Sequence, residues 1–537
     1  MSAESGTSGD VDDVAPREDA EAVVADASTR IYQAMADEDW TGALDLAETH
    51  WGVLSAHRLH VIRALADALP DELLTQRPRW ATVRRFVAHV LVGRRVRPTA
   101  YSRSVLRERR GTKLDRFTEL VEDSIAARSR GDFDTASASV VEACRLAKDS
   151  ELSELPGHLM LPTLFFQAGM SAELADREDL AIEAFQRAYG GTSITGDMRT
   201  AANAAAELSL MHGLAGRRRL ADLWMDRHEA IMSVAPKIAM LRSTAHLARA
   251  SALHDALRFD EAQAELELTD SDSWAEHWPE VVVHRIMFDA FARRRGMWEL
   301  LSSLDAAAAE YSALAAGGLG RKSFDFARVA VLALGGQPER ALPIIEAGAE
   351  TLGVNFCISR RAAIHYVLGD VEAAARDADI ALSALRAWPR IAAEALIVKA
   401  AVHWHRGESL EAAETFRQAV GLAVENRMYV ALAIIPRDDV IALTELTFGE
   451  IGCPEPLQQV IDLPRLFPPP MAPVEKLTAQ EQRVLAALAG GETLAHAAAR
   501  LSISENTVKV HVRSIYRKLG VGDRVAMVAE AARRGLI

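Results

Sequence analysis

The sequence predicts an all-α protein: a long body of repeated helix pairs followed by a small four-helix domain at the carboxyl end. Three observations carry that prediction. Turn phrases of one kind recur through the body at steps of 33 to 45 residues. A proline run, with Pro464, Pro468, Pro469, Pro470 and Pro473, then forbids continuous helix and favours extended backbone. Beyond it, residues 477–537 carry helix start and stop signals at the spacing of short helices.

In the body, each phrase joins a turn rich in Gly and Asp to a small or apolar residue that lets helices approach closely. The phrases end at Ala136, Ala181, Ala221, Ala262, Leu301, Ala341, Ala374 and Ala413, and an earlier element at Trp40 and Ala43 is a candidate for the same array. A helix pair cannot bury both its faces alone, so successive pairs are expected to stack into a superhelix. The array is similar to tetratricopeptide repeats, although its steps mostly exceed that family's usual length of about 34 residues. Armadillo-like or irregular helical repeats are the close alternative.

Length and composition fit this division. A chain of 537 residues is too long for one domain. The expected boundaries are a disordered acidic tail over 1–22, the repeat solenoid over 23–463, a semi-rigid proline-rich linker over 464–475 and the carboxy-terminal domain over 476–537. An apolar fraction of 49% supplies a large core. Cys144, Cys357 and Cys453 are the three cysteines and are widely spaced, which argues against a disulfide framework or a thiolate metal site. The amino terminus is polar and no apolar run is long enough to span a bilayer. A cytoplasmic protein without a membrane partner is therefore expected.

Charge is unevenly distributed. The whole chain carries −14, yet residues 477–537 hold nine Lys or Arg against five Asp or Glu, so a tip at +4 sits on a body at −18. An acidic body with a basic tip confines any nucleic-acid contact to the tip. A second basic island, residues 77–116, holds thirteen Lys or Arg and two acids, with Arg94, Arg95 and Arg97 at its centre. It is read mainly as solvated helix faces, with an auxiliary phosphate surface or an anionic-effector dock as the functional alternative.

The tip is predicted in detail. Thr478 and Glu481 form a capping-box pattern that opens a first helix, with Val484, Leu485 and Leu488 facing inward and Gly490-Gly491 as its stop. Thr493 caps a second helix, with Ala498 and Leu501 inward, and Ser502, Ile503 and Ser504 turn the chain. Ser504 caps a third helix beginning at Glu505. Along it, Val508, Val512, Ile515 and Leu519 form an apolar stripe, and Asn506, Lys509, Val510, Arg513 and Arg517 fall on the opposite side. Such a face suits a DNA groove, because long cations reach guanine edges and phosphates while a small apolar group packs on a thymine methyl. Asp523 caps a fourth helix whose apolar positions are Val525, Val528 and Ala529.

These motifs together resemble the LuxR-type helix-turn-helix domain of bacterial transcription regulators over residues 477–537. The likeness lies in Leu477-Thr478, Glu481, Val484-Leu485, Gly491, Ala498, Leu501, the run Ile503 to Lys509, then His511, Lys518-Leu519-Gly520 and Arg524. It implies that Lys509, Val510 and Arg513 read base edges, that Thr507 and Lys518 lie near phosphates, and that the fourth helix pairs two copies on a two-fold related site. Asn506 and Arg517 complete the expected DNA face; Val525, Val528 and Ala529 are the expected dimerisation residues. The chain departs from the family at Leu494, Ala495 and His496, and Gln480 replaces a common Arg. Fewer cations there imply fewer phosphate contacts and a shallower salt dependence.

No catalytic constellation emerges. Gly317 to Ser323 imitates a phosphate loop, but Arg321 separates the last glycine from Lys322 and no strand precedes it. His403 and His405 point in different directions on a helix. The tryptophans, among them Trp224, Trp298 and Trp404, read as packing residues, with an effector cluster in a concave groove as the lesser alternative. The expectation is a dimeric, sequence-specific regulator of double-stranded DNA with no cofactor, no metal and no enzymatic activity. RNA polymerase and an unidentified effector or protein at the solenoid are its expected partners. The alternative is a tetratricopeptide-like adaptor whose carboxy-terminal domain serves mainly for dimerisation.

Overall fold

The computed structural model describes residues 20–463 apart from 78–79, 81–82, 85–111, 149–151, 155–157, 235–241, 270–277, 293, 311, 353–356, 385–387 and 450–451. It also describes residues 477–531 apart from 520–522, 525–526 and 529–530. Every regular element among the described residues is helical. The expected tail up to residue 19, the proline-rich segment 464–475 and the centre of the basic island lie outside the described residues.

Helix pairs form where the turn phrases stand. Lys113–Ser129 pairs with Phe133–Lys148, Leu161–Leu174 with Glu178–Thr195, and Met198–Ala215 with Arg218–Val234. Further along, Gly318–Leu334 pairs with Pro338–Leu352, Ile358–Val367 with Val371–Ala384, and Pro389–His405 with Ser409–Glu425. One turn geometry recurs. A residue in the left-handed region ends the first helix, at Gly131, Asp176, Gly216, Leu257, Gly336, Gly369 and Gly407. Five positions later a fully buried alanine, or Ala221 at 3% exposure, enters the next helix: Ala136, Ala181, Ala221, Ala262, Ala341, Ala374 and Ala412. The left-handed residue reverses the chain, and the alanine lets the two axes approach.

The same register identifies the earlier element, because Glu38 is left-handed and Ala43 is buried between Ala20–Ala36 and Trp40–Thr49. Burial also corrects two sequence expectations. The buried residue in the fifth phrase is Leu300 rather than Leu301, and in the last it is Ala412 rather than Ala413. Each correct position has an equivalent neighbour one residue on, so composition does not separate them.

The stack also makes contacts far beyond nearest neighbours. Trp51–His57 packs on Glu178–Thr195 and Met198–Ala215; Leu161–Leu174 meets Gly318–Leu334; Met198–Ala215 meets Pro389–His405. Gly52 marks one such approach, since a Cβ there would lie 1.9 Å from the Thr195 carbonyl oxygen. Most apolar burial falls in one core running from Ile31 to Trp224 and a larger one running from Leu210 to Ile461, with two smaller clusters beside them. A separate core belongs to the carboxy-terminal domain.

Polar groups tie these long-range approaches. Arg390 at the start of Pro389–His405 donates through Nε to the Leu214 carbonyl at 2.8 Å and through Nη2 to that of Gly213 at 3.1 Å. Its guanidinium also grips Asp255. Glu394, one turn on, accepts from the Ser359 hydroxyl and Arg360, each at 2.6 Å. Lys322 is held by both oxygens of Asp176, at 2.7 and 3.0 Å, inside the helix Gly318–Leu334. The imitation phosphate loop is therefore a helix start whose lysine bridges repeats. His403 pairs with Glu408, while His405 stands edge-on to Tyr366. Trp224 packs against Tyr189 beneath Arg227, and Trp298 lies under Arg340.

From the expected basic island the structure describes Arg77, which pairs with Asp45 and Glu48, Arg84, which donates to the Asp67 carbonyl, the exposed Lys113, and Arg116, which pairs with Glu119. Arg77, Arg84 and Arg116 are thus engaged by neighbouring groups of the body. Arg94, Arg95 and Arg97 fall outside the described residues.

Candidate nucleic-acid interface

Three helices build the site: Ala479–Ala489, Leu494–Leu501 and Glu505–Leu519. The first starts with a complete capping box. The Thr478 backbone N–H donates to Glu481 Oε2 at 2.7 Å, and the Glu481 N–H donates to Thr478 Oγ1 at 3.2 Å. Its end is set by Gly491, whose φ of 86° is a conformation L side chains rarely adopt. Thr493 caps the second helix by accepting from the His496 N–H at 3.2 Å. Ser502 then takes a left-handed conformation, and the Ile503 N–H returns to the Ala498 carbonyl at 3.1 Å. This closes the tight turn. Ser504 Oγ accepts from the Thr507 N–H at 3.0 Å and opens the third helix.

The third helix has two unlike sides. Val508, Val512 and Ile515 are buried with Leu477, Val484, Leu485, Leu488, Ala497 and Ala498. Asn506, Lys509, Val510 and Arg513 are exposed. Val510 is 59% exposed, an apolar residue on an otherwise polar face. Lys509 Nζ lies 2.9 Å from Glu505 Oε1 one turn earlier, with both side chains about half exposed. An exposed pair of this kind is weak and leaves the ammonium able to change partner. Thr507 is half-buried, its hydroxyl 2.7 Å from that of Ser504. The side chains of Arg517 and Leu519 lie outside the described ones.

Lys518, expected near a phosphate, is engaged within the domain. Its side chain is only 10% exposed, and Nζ lies 2.8 Å from Oε2 of Glu481, itself 5% exposed. Burial alone would raise the pKa of Glu481, but hydrogen bonds from Lys518, Ser514 and Thr478 outweigh it and hold the carboxyl down at about 2. The capping carboxylate is thus also an internal counter-ion. Arg524 is likewise turned inward, donating to the Leu488 carbonyl at the end of the first helix.

At the fourth helix, Met527 and Ala531 are fully buried among the described residues, and neither was expected from the sequence. Val528 is half-buried against the domain's own core; Val525 and Ala529 lie outside the described residues. Apolar residues stand at most positions from Val525 to Ala532, so spacing alone did not reveal the inward ones. Leu494 packs partly on the core, whereas Ala495 and His496 are exposed.

Residues 475–531 match the family described as "Bacterial regulatory proteins, luxR family". The carboxy-terminal domain is therefore a LuxR-family helix-turn-helix domain. The chain is 48% identical over 68 residues to a probable transcriptional regulatory protein NarL of Mycobacterium tuberculosis, covering 13% of this chain and 31% of that protein. It is 54% identical over 57 residues to a probable transcriptional regulatory protein SgaR of Hyphomicrobium methylovorum, covering 11% and 27%. A nitrate/nitrite response regulator protein homolog of Haemophilus influenzae is 50% identical over 54 residues, covering 10% and 26%. The chain thus spans less than a third of the length of these relatives, all three named as regulators. Among the described residues no helix is long and apolar enough to cross a membrane.

Proposed function

We propose that this protein is a sequence-specific, DNA-binding transcription regulator that reads the major groove with the helix Glu505–Leu519. The observation that carries the reading is the division of that helix, with Val508, Val512 and Ile515 buried and Asn506, Lys509, Val510 and Arg513 exposed on the other side. Lys509 and Arg513 reach base edges, Val510 packs on a thymine methyl, and Asn506, Thr507 and Arg517 serve the flanking bases and phosphates. Two copies bind a two-fold related site through the fourth helix, where Val525, Val528 and Ala529 supply apolar surface. The body 23–463 is the sensing or partner-binding unit, of a tetratricopeptide-like kind, and 464–475 is its linker to the domain 476–537. Contact with RNA polymerase and residence in the cytoplasm follow from that role.

The test is selection of bound sequences from random duplex DNA by the full chain, then affinity measurement on the selected site. Enrichment of a two-fold related sequence supports the reading. Enrichment that vanishes in Lys509→Ala and Arg513→Ala assigns the helix. If the full chain enriches nothing at low salt, the reading is wrong and the adaptor alternative takes its place.

A further inference from the structure

Both ends of the capping-box helix Ala479–Ala489 are tied to other helices by buried or half-buried cations. At its start the Glu481 carboxylate gathers the Thr478 N–H, the Lys518 ammonium and the Ser514 hydroxyl. At its end the Leu488 carbonyl receives Arg524. Ser514 and Lys518 are one turn apart on the helix Glu505–Leu519 and converge on the same acid. At about 100° per residue, Lys518 lies nine positions beyond Lys509 and so on the opposite side of the helix. Moving the ammonium to a phosphate would leave Glu481, at 5% exposure, without its counter-ion. Removing one partner of a buried pair is strongly unfavourable.

We infer that the Glu481–Lys518 pair is a clamp that fixes the angle of the recognition helix on the capping-box helix, making Lys518 a positioning residue for base reading rather than a phosphate ligand. This rests on the DNA-binding reading above and refines it. Base recognition depends on several side chains meeting base edges at once, so a helix free to pivot loses bidentate geometry before it loses general attraction to the backbone. The clamp therefore serves discrimination. The salt-dependent part of binding belongs to other cations.

The experiment uses the full chain with its selected duplex and a scrambled duplex across a salt series. Lys518→Met keeps the apolar stem and removes the charge; Glu481→Gln keeps the length of the capping side chain. Each single variant is expected to reduce the preference for the selected duplex by about tenfold and to leave the slope of log affinity against log salt as in the unaltered protein. In the Glu481→Gln background, Lys518→Met is expected to cost less than twofold further. A slope that falls by about 0.9, with equal losses on both duplexes, would overturn the clamp and restore the phosphate role.

A second measurement needs no variant, which covers the case in which these substitutions unfold the domain. Lys509 and Lys518 are the only lysines between 477 and 537. Amine-reactive labelling read by mass spectrometry should modify Lys509 quickly in the free protein and slowly on DNA, and Lys518 slowly in both. Fast labelling of Lys518 that DNA suppresses would refute the inference. Absence of any sequence preference in the unaltered protein would instead defeat the DNA-binding reading, and the clamp's part in base reading with it.

Discussion

Arg390 and Asp255, 135 residues apart in the chain, meet as a two-pronged ion pair inside the body, with Nη1 2.8 Å from Oδ1 and Nη2 on Oδ2. The same guanidinium satisfies the carbonyls of Gly213 and Leu214, so one side chain joins three helices. Planar, forked recognition of this sort is a property of arginine that lysine does not reproduce. Arg390→Met should therefore destabilise the body by about 3 to 5 kcal/mol through the carboxylate it strands. Arg390→Lys should recover only part of that loss. Asp255→Leu added to Arg390→Met should be less harmful than Arg390→Met alone. Urea unfolding followed by circular dichroism measures all three; equal stability of Arg390→Met and the unaltered chain would contradict the assignment.

His254, beside Asp255, stacks on Phe288 and is flanked edge-on by Phe259 and Phe291. Burial lowers its pKa to about 3, with His284, Arg390 and Arg360 lowering it further and Asp255 opposing them. Because the folded pKa lies below the unfolded value near 6.5, the fold prefers the neutral ring. That contribution is present in full above pH 6.5 and is lost as pH falls from there toward 3. His254→Phe should make stability less dependent on pH across this window. Parallel stability-pH curves for the variant and the unaltered chain would rule the histidine out.

Two left-handed glycines should respond differently to alanine. At Gly318, φ is 54° and a Cβ would lie 2.1 Å from the Leu174 carbonyl oxygen, on the approach between Leu161–Leu174 and its distant partner. At Gly369, φ is 85° and a Cβ would meet nothing within 4 Å. Gly369→Ala should cost about 1 to 2 kcal/mol of backbone strain alone. Gly318→Ala should cost distinctly more, because backbone must also move. Thermal melts of the two variants decide the order.

On DNA, Lys509→Ala and Arg513→Ala should each lose about 1 to 3 kcal/mol on the selected site and relax preference at one position of it. Lys518 and Arg524, two of the domain's nine Lys and Arg, are engaged within it. A shallow salt dependence is the expected result, and a slope near −10, as for a large phosphate footprint, would be inconsistent with it.

Much of the carboxy-terminal domain was legible because its signals are local. Thr478 with Glu481, Thr493 and Ser504 each act within three residues, and the structure shows each cap made. The contact of Lys518 with Glu481 was not legible, because the acid lies 37 residues upstream and looks, in sequence, like a cap with nothing more to do. The helix pairs were legible through Gly and Asp at their turns, although Leu257 and Glu38 take the same left-handed conformation without either residue type. Leu300 and Ala412 were each missed by one position because a like residue follows. The link from Arg390 to Gly213, Leu214 and Asp255 left no trace, since no periodicity records which distant helices the fold brings together.

Arrays that touch only adjacent neighbours can fray from either end and lose one unit at a time. Lys322 on Asp176 and Arg390 on Asp255 cross that ladder, each spanning more than a hundred residues of chain. Excising an internal pair would break a chord as well as a step, so this body should melt as a whole and tolerate shortening poorly.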